Sequence, residues 1–168
     1  MSPTPTLPAT PVSNPVAYDL IKPHVEAVLP GWRLLHGSMD QLNDELDVMK
    51  AGDRTIAVND IVPVTFDLKK NAAVDVSFSA VLVVMIKSDV ADSADTRVGY
   101  TREAVGAAAS LLYQLQRYGN GVTVEGQVQG QVFINGFDAN VDGVDFAVRL
   151  KVAAGLFNYC AVPIKPVV

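Results

Sequence analysis

Three aspartates stand at three-residue spacing in the stretch KSDVADSADTR, residues 87–97, between an unbroken apolar run and an Ala/Leu-rich segment. Asp89, Asp92 and Asp95 are the residues whose type and spacing first suggest chemistry, as cation ligands or as an acid–base pair. A calcium loop of EF-hand type places oxygens at alternate positions, a glycine at the turn and a bidentate glutamate at the twelfth place. Here the spacing is three and the glutamate is missing. The stretch therefore reads as a charged loop without a metal, either solvated or facing the lumen of an assembly.

The other reactive residues are few. His24 and His36 are the only histidines; His24 has apolar neighbours and His36 closes an apolar run before Gly37. No G-x-S-x-G elbow accompanies them, so no nucleophile, base and acid are arranged for acyl transfer. Cys160 stands alone in an apolar tail, which excludes an internal disulfide and a thiolate cluster within one chain. The glycines of GVTVEGQVQGQVFING, residues 121–136, lie in an alternating strand pattern. A phosphate loop must instead open a helix. Gln127, Gln129 and Gln131 share one parity of that strand and form an uncharged polar face, open either to solvent or to a wet subunit interface. No catalytic residue, cofactor or metal is expected, and the chain does not read as an enzyme.

The elements that must carry these residues follow from composition. The 168 residues are 49% hydrophobic and 18% charged, enough apolar content for one domain with a substantial core. A net charge of −5 offers no basic footprint for gripping nucleic acid through its phosphates. The longest apolar run, Ala80–Ile86, falls far short of the ~20 residues of a membrane helix. The opening MSPTPTLPATPVSNP has neither the basic start nor the apolar centre of a signal peptide, which points to assembly inside the cell.

Along the chain, residues 1–15 read as a flexible Pro-rich arm. Asn14-Pro15 then signals a helix start, and apolar positions from Val16 to Val28 continue the helix, with Pro23 expected to kink or split it. WRLLH, 32–36, is a short strand. Ser38 and Gln41 form a capping-box pattern ahead of a helix carrying Met39, Leu42, Leu46 and Met49, with Gly52 as its stop. Strands are predicted at Ile61–Leu68, with Pro63 marking an edge or a strand start, and at Val76–Ile86, whose second half should be covered on both faces.

A helix is predicted over Thr101–Tyr118, burying the line Val105, Ala109, Leu112 and Gln116, widened by Ala108, Leu111 and Leu115. Val122–Ile134 alternates as one strand with its valines and Ile134 inward. Asn135-Gly136 and Asp142-Gly143 are both two-residue hairpin signals, and Val144–Val152 closes the sheet with Phe146, Val148 and Leu150 inward. The prolines of residues 156–168 rule out a central strand, so Leu156, Phe157, Tyr159, Val162 and Ile164 form an apolar arm suited to docking on a second subunit or a partner. Residues 16–155 thus make a single α+β domain, a mostly antiparallel or mixed sheet with two main helices packed on one face.

Several stretches together resemble the tail terminator, or tail completion, proteins of tailed phages and Mu-like prophages. They are the opening helix ending LPGWRLLHG, then SMDQLNDELDVMKAG, IVPVTFDL, the segment VSFSAVLVVMIKSDVADSADTRVGYTREAVGAAASLLYQLQRYG, and the closing GFDANVDGVDFAVRLKV. The resemblance covers about residues 18–153 and lies in element order and patterning. It implies a structural protein without a reaction: a ring, usually of six copies, on the last ring of a completed tail tube. Such a ring ends tube growth and joins the tail to the head connector. Its implied partners are other copies of itself, the tail tube protein and a connector or neck protein. DNA passes through without specific binding, no membrane is involved, and the location is the tail–neck junction of a virion assembled in the host cytoplasm. The alternative is another neck, connector or tube protein of a phage or contractile injection machine. An inward-facing loop of Asp89, Asp92 and Asp95, opposed only by Lys87 and Arg97, would give such a ring a mostly negative collar that repels phosphate.

Overall fold

The computed structural model describes residues 16–37, 39–59, 64–67, 75–119, 121–136 and 139–153. The two arms read from the sequence, 1–15 and 156–168, lie outside them, as do Cys160, Leu156, Phe157, Tyr159, Val162 and Ile164.

Among the described residues ten elements occur in the order α1 (Ala17–Val28), β1 (Arg33–His36), α2 (Met39–Val48), β2 (Arg54–Asn59), β3 (Val64–Asp67), β4 (Asp75–Lys87), α3 (Ala94–Tyr118), β5 (Val122–Glu125), β6 (Gly130–Gly136) and β7 (Val141–Val152). The strands form one mixed sheet, ordered β1-β2-β4-β7-β5, with β3 also on β4 and β6 also on β7. Among the described strands only the β1–β2 pair is parallel. A parallel neighbour requires a crossover rather than a tight turn, and α2 supplies it.

The centre is β4 against β7, paired without interruption from Val76↔Val152 to Lys87↔Val141. Alternation along β4 divides the core in two. Val76, Phe78, Ala80, Leu82 and Val84 face α1 and α3, whereas Val83 and Met85 face Leu42 and Leu46 of α2 and Met49 just after it. The two main helices share one face, as expected, and the short α2 covers part of the other. The second half of β4 is therefore enclosed on both sides, with Leu82 through Ile86 all buried. Farther along, no helix among the described residues lies over the α2 side of the sheet. There Arg149 Nε lies 3.1 Å from Glu125 Oε2 and Lys151 Nζ lies 3.3 Å from Asp75 Oδ2, cross-strand ion pairs on an open polar face.

Several local expectations are corrected. α1 begins after Val16, whose N–H donates to Asp19 Oδ2 at 3.1 Å, so the helix starts later than Asn14-Pro15 predicts. Pro23 does not split it, because Ala17, Leu20, Ile21 and Val25 on both sides of the proline pack into one core. β2 is an additional strand, and the strand predicted at 61–68 is described only as β3.

α3 starts seven residues before Thr101, with Ser93 Oγ accepting from the Thr96 N–H as its N-cap. Its buried line is Thr101, Ala104, Ala108, Leu111 and Leu115 with Ala107 and Gln114, while Val105, Ala109 and Gln116 are exposed. The predicted strand 122–134 is broken at Gly126, which has φ +73°, into β5 and β6; both run along the same edge of β7. Asp142-Gly143 is no turn but the interior of β7. Gly143 is needed there because a Cβ would lie 2.1 Å from the Val84 carbonyl oxygen of β4.

Candidate interaction surfaces

The three aspartates do not form a single acidic loop. Asp92 Oδ2 accepts from the Asp89 N–H at 2.7 Å, and Asp89 Oδ1 accepts from the Ala91 N–H at 2.9 Å. Both carboxylates thus close a turn after β4, while Asp95 lies in the first turn of α3, where a negative charge suits the helix dipole. The cations expected to oppose them are engaged elsewhere. Lys87 Nζ donates to the carbonyls of Leu46 and Ala139. The Arg97 guanidinium donates to the Asp89 carbonyl at 3.0 Å and to Asn135 Oδ1 at 3.3 Å, and lies 3.7 Å from Asp142 Oδ1. Among the described residues no group of three or more His, Cys, Asp or Glu side chains is arranged to hold a metal.

The Arg97–Asp142 pair carries no signal in the sequence, since its members are 45 positions apart and Asp142 sits in a hairpin-like dipeptide. Asp142 is fully buried, and its Oδ1 accepts from the Asn135 N–H at 2.8 Å. The pair joins the start of α3 to the β6–β7 hairpin. At the other flank of α3, Glu103 hydrogen-bonds Arg54 of β2, and that bond holds the guanidinium above its ordinary pKa.

Of the glutamines, only Gln131 belongs to a regular strand; Gln127 and Gln129 lie in the connection between β5 and β6. All three are exposed, as a polar face requires, but the break between β5 and β6 keeps them from forming one continuous ladder. Gln129 and Gln131 border a shallow depression of about 390 Å³ with Val81, Asp145 and Ala147.

His24 is buried in α1, and burial lowers its pKa below the ordinary value of 6.5. Tyr18 stacks on His36, with ring centroids 4.6 Å apart. Neither histidine is placed beside a nucleophile by these contacts.

What the alternation hides is the edge. Val132 and Ile134 of β6, expected inward, are each 52% exposed. Above them runs a flank of α3 that is fixed at both ends, by Arg97 on Asn135 and by Gln116 Oε1 accepting from the Val124 N–H at 3.3 Å. That flank carries Val105, Ala109 and Leu112, and no charge occurs from Ala104 to Gln116. β3 likewise leaves Val64 40% and Phe66 62% exposed. Neutral apolar surface of this kind is a candidate for covering by another molecule.

No family model matches this chain, and no curated protein matches it. No helix among the described residues is long and apolar enough to cross a membrane.

Proposed function

We propose that this chain is a structural virion protein that forms a ring on the end of a completed phage tail tube. The ring stops further addition of tube subunits and presents the surface that meets the head connector. Its partners are other copies of itself, the tube protein below and the connector or neck protein above. The chain catalyses no reaction and needs no cofactor, and it sits at the tail–neck junction of the virion.

The observation that carries this reading is the pair of exposed apolar sheet edges, β6 with Val132 and Ile134, and β3 with Val64 and Phe66. A small α+β unit with apolar edges on both sides of its sheet is built to stand between neighbours. The order of α1 through β7 is the order read from the sequence with β2 as an additional strand, and it is that sequence order on which the resemblance rests. A net charge of −5 suits a channel wall that DNA crosses without adhering.

Gold-labelled antibody against this chain, applied to purified tails and imaged by electron microscopy, tests the reading. Label confined to the head-proximal end supports it. Label repeated along the tube assigns the chain to the tube instead, and unlabelled tails remove it from the particle.

A further inference from the structure

We infer that neighbouring copies of this chain meet face to face, the outward side of α3 in one copy against the acidic outward side of α2 in the next. This deepens the ring reading above and rests on it for closure of the ring.

The two sides carry opposite, unpaired charge. On α2, Leu42 and Leu46 are turned to the sheet, so Asn43, Asp44, Asp47 and Val48 are turned away from it. Val48 is 68% exposed. Glu45 is held by Arg33, whereas Asp44 and Asp47 meet no cation among the described residues. On α3, the buried line from Thr101 to Leu115 leaves the stripe Arg102, Gly106, Ser110, Tyr113 and Arg117 facing outward, with Tyr113 60% exposed. Glu103 is held by Arg54, whereas Arg102 and Arg117 meet no carboxylate among the described residues.

The cationic end of that stripe is arranged before any contact. Arg117 Nε donates to Tyr118 Oη at 3.2 Å, and the guanidinium lies 5.7 Å from the centre of the Tyr118 ring. An arginine already held in this way loses less rotamer freedom on binding. Exposed tyrosine and arginine are also the residue types that most often carry the energy of an interface.

Position requires a second copy. α3 packs on the side of β4 that bears Leu82 and Val84, and α2 on the reverse side, against Val83 and Met85. The sheet stands between the two charged sides, so one chain cannot bring them together. A neighbour stacked on the sheet brings its Asp44 and Asp47 to Arg117 and its Val48 to Tyr113, matching charge with charge and apolar surface with apolar surface. Contact between two different faces is heterologous, and a rotation between successive copies closes it into a ring. It uses neither the β3 nor the β6 edge, which stay for the other partners.

Native mass spectrometry of the full chain tests the contact, with thermal unfolding to verify that each variant is folded. Arg117→Glu, and separately Asp44→Lys with Asp47→Lys, should each leave only monomer where the unsubstituted chain assembles. All three substitutions in one chain reverse both faces and should restore the assembly. Tyr113→Ala should raise the concentration of half-assembly about tenfold. Failure of the fully reversed chain to assemble overturns the inference, as does an unsubstituted chain that stays monomeric. Normal assembly of Arg117→Glu or of the lysine variant also overturns it and leaves the ring reading to tail labelling. A single mass that follows these substitutions supports contact and closure together. A ladder of growing masses that follows them supports the contact and removes the ring.

Discussion

The Arg97 guanidinium stands 3.7 Å from the Asp142 carboxylate, which no solvent reaches, and thereby ties the first turns of α3 to the β6–β7 hairpin. A buried carboxylate that loses its cation keeps its desolvation cost without compensation. Arg97→Met should therefore lower the unfolding free energy by about 3–5 kcal/mol. Asp142→Asn, which leaves a neutral group, should cost less. Denaturant titration of both variants measures the difference; an Arg97→Met loss below about 1 kcal/mol, the range of exposed ion pairs, would mean that the pair behaves as a surface contact.

His24 gives the fold a defined acid sensitivity. Its folded pKa is depressed by burial, so the unfolded chain takes up the proton first as pH falls below 6.5. The stability associated with neutral His24 is fully present above that value. It is lost as pH falls toward the folded pKa, at about 1.4 kcal/mol for each pK unit between the two states. The melting temperature should drop from pH 7 to pH 5.5, and His24→Leu should reduce the slope. An unchanged slope would assign the acid sensitivity to other groups.

Enclosure of β4 on both faces predicts a graded response along one strand. Val83, against α2, and Val84, against the α3 side, are buried, whereas Val81 is only half-buried. Val83→Asp and Val84→Asp should prevent folding, because an unpaired buried carboxylate costs several kcal/mol. Val81→Asp should remain soluble with a lowered midpoint in thermal unfolding. Soluble, cooperatively folded Val83→Asp protein would mean that α2 does not cover the sheet.

The central strand pair was the most legible part of the chain, since β4 and β7 combine length with alternation against two apolar layers. α3 was half legible. Its first turns, Ala94–Tyr100, contain Asp, Thr, Gly and Val, poor helix formers that leave no periodic stripe, and only the Ser93 cap announces them. β2 was readable in principle as TIAV bracketed by Gly52-Asp53 and Asn59-Asp60. Its brevity let the following apolar run take its place. The edges were the least legible. Alternation assigns Val132 and Ile134 to one face, but whether a helix reaches that face is set by where α3 lies over β5 and β6. The Asp142-Gly143 dipeptide misleads for a related reason, because its glycine serves close approach to Val84 rather than a turn.

The turn after β4 separates charge from structure. Asp89 and Asp92 accept backbone hydrogen bonds that asparagine can also accept, so Asp89→Asn, Asp92→Asn and Asp95→Asn together remove three negative charges and keep the turn. Thermal stability should change little. If the turn lines the channel of a ring, rings of this variant should retain DNA that the unsubstituted ring releases, most clearly at low salt. Equal release by both, measured by nuclease-protected DNA in purified rings, would place the turn outside the channel.

Tail length in the absence of the chain tests the central claim most directly. An early stop codon in the reading frame should leave cells that make tubes without a terminal ring, and electron microscopy of the lysate gives the length distribution. The account predicts a broad distribution with overlong tubes and no joined heads, restored to one length by the unsubstituted chain supplied in trans. Tubes of normal uniform length, joined to heads, would contradict it.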